Sequence, residues 1–340
     1  MNESRAVVEL RSQWQPHDPA LRAELPDAAT QERQLQRILY ASHLTLVPPA
    51  PTVRAGRLRR TIFAAAGAVA IGGVLVVANP AQGPAFAVTP PPLALPAGAP
   101  APAAPVLREL ALRAEQSSSG PRAGATEHLK RSEWSLFTSV DDETNSAVVP
   151  TLVESWRAPD GSGRVVQGVG EPIVDSASLR DRITIWWEIN TEEPRAASYQ
   201  AGQYPAVWRA DRPPVETAAL RSWLLRNRPE GGGPSDVITA VRDLVRERAL
   251  NAAERAALLR VLAATPGLEH TGMVVERAGR RGDGFRLLSD DSASTAAYLL
   301  VIDPGDGRIL AAEETLLSGA DGLNIRTPAV ISYETFLISE

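Results

Sequence analysis

The stretch Thr61–Ala78, TIFAAAGAVAIGGVLVVA, constrains this chain more than any other, because 18 consecutive residues carry no charge. As a helix it spans about 27 Å, close to the ~30 Å hydrocarbon core of a bilayer. Nine of its residues are Ala or Gly, so it is only moderately apolar. Its flanks are asymmetric: Arg54, Arg57, Arg59 and Arg60 precede it, and no charge follows until Arg108. That is the positive-inside pattern, in which the four arginines set the topology and keep the N-terminus in the cytoplasm. A cleaved signal peptide is the rival reading. AFA at 85–87 matches a small-residue cleavage site, and Arg59-Arg60 forms a twin-arginine pair. The sixty residues ahead of the run weigh against a signal. A buried core helix explains neither the arginines nor the prolines that follow. Anchor and cleaved signal both stay open, and both carry the rest of the chain out of the cytoplasm.

Charge changes sign at the same place. The first 60 residues hold nine Arg and six acids, whereas the part beyond Ala78 holds 26 basic against 34 acidic residues. This is the balance of a two-compartment protein. Four segments follow: a basic cytoplasmic segment of short helices (1–60), a transmembrane helix (61–78), a Pro/Ala-rich linker (79–105) and an extracytoplasmic domain (106–340). The linker carries nine prolines in 27 residues and reads as a semi-extended spacer. The two amphipathic stretches of the head are too small to bury a core alone, so either they are loosely ordered or they fold on a partner.

The outer domain reads as α+β, a curved antiparallel sheet with helices packed on one face. VLRELALRAEQ (106–116) is helical. EWSLFTSV (133–140), AVVPTLVESWRA (147–158), RVVQGVG (164–170) and RITIWWEIN (182–190) alternate as strands, with a Pro-Asp-Gly turn at 158–164. Helical patterns fill the middle, including the capping box NAAE at 251–254. The last seventy residues return to strands, with a tight turn at DPGDGR (303–308) and RGD (281–283) read as a second turn.

Chemistry is sparse. Cysteine is absent, which removes thiol nucleophiles, disulfides and Cys-ligated zinc. His17, His43, His128 and His270 share no ligand spacing. The acid pairs Asp141-Asp142, Glu192-Glu193, Asp290-Asp291 and Glu313-Glu314 read as surface groups. No phosphate loop or nucleophile elbow is present. Of the 35 basic residues all but Lys130 are Arg, a bias that codon usage explains, and the net charge of −5 argues against a nucleic-acid partner. No catalytic, metal or cofactor site is expected. Six tryptophans beyond the run (Trp134, Trp156, Trp186, Trp187, Trp208 and Trp223) fit a core, or an aromatic groove for lipid or glycan.

Three segments, SAVVPTLVESWRAPDGSGRVV (146–166), ERAGRRGDGFRL (276–287) and LVIDPGDGRILAAEE (300–314), resemble a family of single-span envelope proteins from actinobacterial genomes. Members are often encoded beside extracytoplasmic-function sigma factors. The resemblance implies an anti-sigma-like, non-enzymatic regulator whose head docks a sigma factor and whose outer domain binds an envelope ligand or protein. It brings no catalytic residue with it. The strand–helix–strand order is also similar to lipoprotein-carrier-like half-barrels, by analogy of fold alone. The alternative function is a membrane-tethered lipid- or glycan-binding module.

Overall fold

A computed structural model describes residues 88–340 except 123, 141–143, 171–194, 205–211, 227–231, 291–293, 320–322 and 324. The head, the apolar run and Arg54, Arg57, Arg59 and Arg60 therefore lie outside the described residues. So do Trp186, Trp187, Trp208, the strand expected at 182–190 and the pairs Asp141-Asp142 and Glu192-Glu193. Among the described residues no helix is long and apolar enough to cross a membrane.

The fold is α+β. Among the described residues ten strands form one unclosed sheet: β1 (Ala101–Pro102), β2 (Glu127–Val140), β3 (Thr144–Arg157), β4 (Gly163–Val169), β5 (Arg195–Tyr199), β6 (Glu269–Val275), β7 (Arg281–Asp290), β8 (Thr295–Ile302), β9 (Ile309–Ser318) and β10 (Ala329–Ser339). Their spatial order is β1-β6-β7-β8-β9-β10-β2-β3-β4-β5, and every neighbouring pair is antiparallel. The sheet is thus two meanders, β2–β5 and β6–β10, sewn together where β10 pairs with β2 and Tyr333 faces Trp134. Helices α1 (Ala104–Gln116), α2 (Thr217–Leu225), α3 (Pro234–Glu247) and α4 (Ala252–Ala263) complete it, the last three between the meanders.

Strand alternation sorts the core into two clusters. On β8, Leu300 and Ile302 point into a cluster shared with Leu107 of α1, Leu244 of α3 and Leu259 of α4, while Leu299 and Val301 point the other way. Among the described residues, α1 to α4 contribute to the first cluster and not to the second, so they share one face of the sheet. α4 is buried on most of its circumference, from Ala256 to Leu262, and is the centre of the helical layer. Its start is the expected capping box: the Asn251 side chain accepts from the Glu254 amide at 3.0 Å, and the Glu254 carboxylate accepts from the Asn251 amide at 2.9 Å.

Two expectations change. RGD at 281–283 is not a turn but the start of β7; the chain reverses earlier, between Glu276 and Arg280. Gly279, at φ +85°, supplies the left-handed residue there, and the buried Glu276 carboxylate accepts from the amides of Ala278 and Arg280. The Pro/Ala-rich stretch also differs over residues 88–105. Instead of standing off as a spacer, it lies against the sheet, forms β1 and opens α1.

Candidate functional site

Among the described residues the second face of the sheet carries no helix. Its apolar cluster includes Trp134 of β2, Leu299 and Val301 of β8, Leu310 of β9 and Tyr333 of β10. What covers part of it is the extended segment 88–98, whose Leu93 and Leu95 pack against the cluster. Two residues apart in an extended chain, they point to the same side. Pro90 is buried, and Pro96 lies over Gly272, where an added Cβ would meet the proline ring at 3.4 Å.

An ion pair grips the backbone of this segment. Arg277 donates to Glu313 at 2.8 Å, donates to the Pro91 carbonyl at 2.6 Å, and Glu313 accepts from the Leu93 amide at 3.0 Å. The pair thus offers one donor and one acceptor to groups two residues apart. The guanidinium also lies over the rings of Tyr333 (4.6 Å) and Trp134 (5.4 Å), whose own centroids are 5.7 Å apart. Burial pushes the Glu313 carboxyl above its ordinary range, against the pull of Arg277 and the Leu93 amide. Burial likewise raises the Tyr333 hydroxyl, and the nearby Glu276 carboxylate adds to the effect.

The hairpin that presents Arg277 is held firmly. Glu276, wholly buried, accepts from Arg280 Nε at 2.9 Å, and Arg280 reaches across to the carbonyls of Phe336 (2.7 Å) and Leu310 (2.9 Å). The Arg277 amide donates to the Tyr333 hydroxyl at 3.1 Å, and that hydroxyl contacts Thr335. Arg277 is therefore preorganised from both its backbone and its side chain.

Glu313 and Glu314 correct the surface reading of the acid pairs. They do point to opposite faces, but neither is a solvated surface group: Glu313 is 5% exposed, and Glu314 accepts from Arg242 at 3.1 Å beneath the helices. Their sequence is that of any exposed acid pair; the partners that neutralise them lie about 36 and 72 residues away in the chain. Asp290 ends β7, and Asp291 lies outside the described residues.

The other polar groups hold the fold together. Arg246 of α3 bridges Glu133 of β2 at 2.9 Å and Glu334 of β10 at 3.4 Å. Glu127 accepts from Arg248 at 2.9 Å, from Arg212 at 2.6 Å and from the Ala249 amide at 3.0 Å, tying the start of β2 to the α3–α4 joint. His270 contacts Asp283 at 2.9 Å. His128 stacks on Trp156 (5.0 Å) and contacts Glu154 at 2.9 Å, beside the nearly buried Lys130. DPGDGR is the expected turn: Asp303 accepts from the Gly305 amide at 2.7 Å, and Asp306 accepts from Ser119 at 2.8 Å. Among the described residues no group of three His, Cys, Asp or Glu could hold a metal ion.

No protein-family model matches the chain, and no curated protein sequence matches it. The residues of the helix-free face, Arg277, Glu313, Tyr333, Leu93 and Leu95, match no catalytic or ligand-binding motif, although Arg277 and Glu313 lie in segments 276–287 and 300–314 noted above. A local signal is the pair of leucines spaced by two and flanked by prolines in PPPLALP (90–96).

Proposed function

We propose that this chain is a non-enzymatic, single-pass membrane regulator. Its basic head docks a cytoplasmic partner such as a sigma factor, Thr61–Ala78 crosses the membrane, and the α+β domain binds an envelope ligand or protein outside. One observation carries this reading: Pro91 and Leu93, between the apolar run and the α+β domain in the sequence, are held on the helix-free face at Arg277 and Glu313. A ligand that engages this face therefore also acts on the tether. The buried charges described above are matched to one another inside the fold, which suits a binding scaffold better than a catalytic cleft.

Two measurements test this. Protease protection on sealed membranes must leave the head and the outer domain on opposite sides. The full chain in detergent must co-purify a specific cytoplasmic protein, and lose it when the head segment 1–53 is removed. Recovery of no specific partner defeats the regulator reading.

A second reading rests on the unclosed sheet with all its helices on one face. That outline also suits a lipoprotein-carrier-like half-barrel, by analogy of fold. A lipid or glycan would then occupy the curved apolar side. Mass spectrometry of extracts from the purified protein checks it: a stoichiometric lipid promotes this reading above the first.

A further inference from the structure

We propose that the helix-free face is a binding site for an extended, proline-flanked apolar peptide segment of a partner protein, held in the resting chain by its own residues 88–98. This names the ligand class of the outer domain and so rests on the regulator reading above.

The template for the ligand is the resident segment. Arg277 reads a carbonyl and Glu313 an amide two residues later, so recognition runs through the backbone and accepts any extended chain. Side-chain selection comes from the apolar cluster, which takes two residues of alternating register at the positions of Leu93 and Leu95. Prolines on either side fix the extended conformation beforehand and lower the ordering cost. The seat is rigid, because Arg277 and Glu276 are locked into their hairpin by bonds that do not involve the segment. The occupant is the less firmly held party. Pro90 is buried but Leu93 and Leu95 are only half-buried, and among the described residues the segment's backbone is held by bonds to Arg277 and Glu313 rather than by a strand ladder. A rigid seat with a weakly held occupant is the arrangement in which exchange is inexpensive. Displacement would hand the linker, and with it the tether, a free length of about a dozen residues.

The probe is a fluorescently labelled synthetic peptide of residues 88–99, VTPPPLALPAGA. The protein is the full chain carrying L93D and L95D, which empties the seat without touching it. Fluorescence anisotropy is expected to show binding at least tenfold tighter to this variant than to the unaltered chain. It must also weaken at least tenfold when the peptide leucine equivalent to Leu93 is N-methylated, which deletes the donor to Glu313. A folded variant that binds no peptide overturns the proposal, as does indifference to N-methylation. Should the variant fail to fold, hydrogen exchange in the unaltered chain decides. The Leu93 amide must open while β8 and β9 amides stay protected, and excess peptide must speed that opening. Exchange of Leu93 only with global unfolding overturns the proposal. None of these results depends on the head, so failure here leaves the co-purification test intact, and failure there leaves this one intact.

Discussion

Arg246 shows how this domain places charge in its interior. Its guanidinium lies between Glu133 and Glu334, the second only 1% exposed. Arg246→Ala leaves the half-buried Glu133 with Arg131 alone and the buried Glu334 with Arg242 alone, and urea denaturation is expected to show a loss of about 3 kcal/mol. The two acids respond to pH in opposite senses. Burial alone would raise the Glu133 carboxyl, but Arg131 and Arg246 outweigh it and hold it at about 2, down from 4.5. A depressed carboxyl contributes stability that is present above its unfolded pKa and is lost as pH falls from 4.5 through about 2. Burial raises Glu334 despite Arg246 and Arg242, so its share falls as pH rises past its unfolded value of 4.5. Glu133→Gln should therefore remove the acid-side decline, and Glu334→Gln the opposing one. Urea curves recorded from about pH 2 to neutrality check both signs.

Elements were legible wherever their signals are local. The capping box at Asn251 and Glu254 needs only a spacing of three, and it is present as read. Asn251→Ala is expected to cost about 1 kcal/mol in thermal or urea unfolding, by orphaning the Glu254 amide. α1, α3 and the hairpin turns at 158–162 and 303–308 also follow from apolar spacing and turn chemistry. β5, RAASY, is different: small and polar residues give it no strand pattern, and it exists because β4 offers it an edge from Gly163 to Gln167. RGD reads locally as a turn, and differs in the fold, for a related reason. Gly282 belongs in a strand because a Cβ there would meet the Ile302 carbonyl at 2.7 Å, a neighbour twenty residues on. On the helix-free face, Leu93→Ala should destabilise by about 1–2 kcal/mol, less than a fully buried leucine, since one side of it faces solvent. The unfolding midpoint in urea checks this.

At the scale of the whole molecule the two meanders are unequal. The helical layer packs on residues of β7, β8, β9 and β10, such as Phe285, Ile302, Ile309 and Phe336, and among the described residues none of β3, β4 or β5 joins that cluster. β4 is nowhere fully buried. Native-state hydrogen exchange is expected to show β4 and β5 amides opening well before those of β8 and β9. Equal protection across the sheet would contradict this. The seam between the meanders is long-range: β10 pairs with β2 through residues nearly two hundred apart, such as Tyr333 and Trp134. Closing it carries a large loop entropy, offset by the aromatic contact and the Arg246 bridge beneath it.

By itself the sequence determined what depends on neighbours in the chain: the α+β class, most helices and hairpins, the caps, and the break in charge and polarity at Arg54–Ala78. These follow from periodicity, turn residues and local charge, which act over a few residues. Only the tertiary structure decided which charges are buried and what the proline-rich stretch touches. Glu313 became half of a clamp because a hairpin 36 residues upstream delivers Arg277 to it. Residues 88–98 became a covering segment because β10 and β2, from opposite ends of the domain, together build the face beneath them. Pairings at such separations are set by the global packing of the sheet, and no local pattern in an arginine, a glutamate or a leucine encodes them.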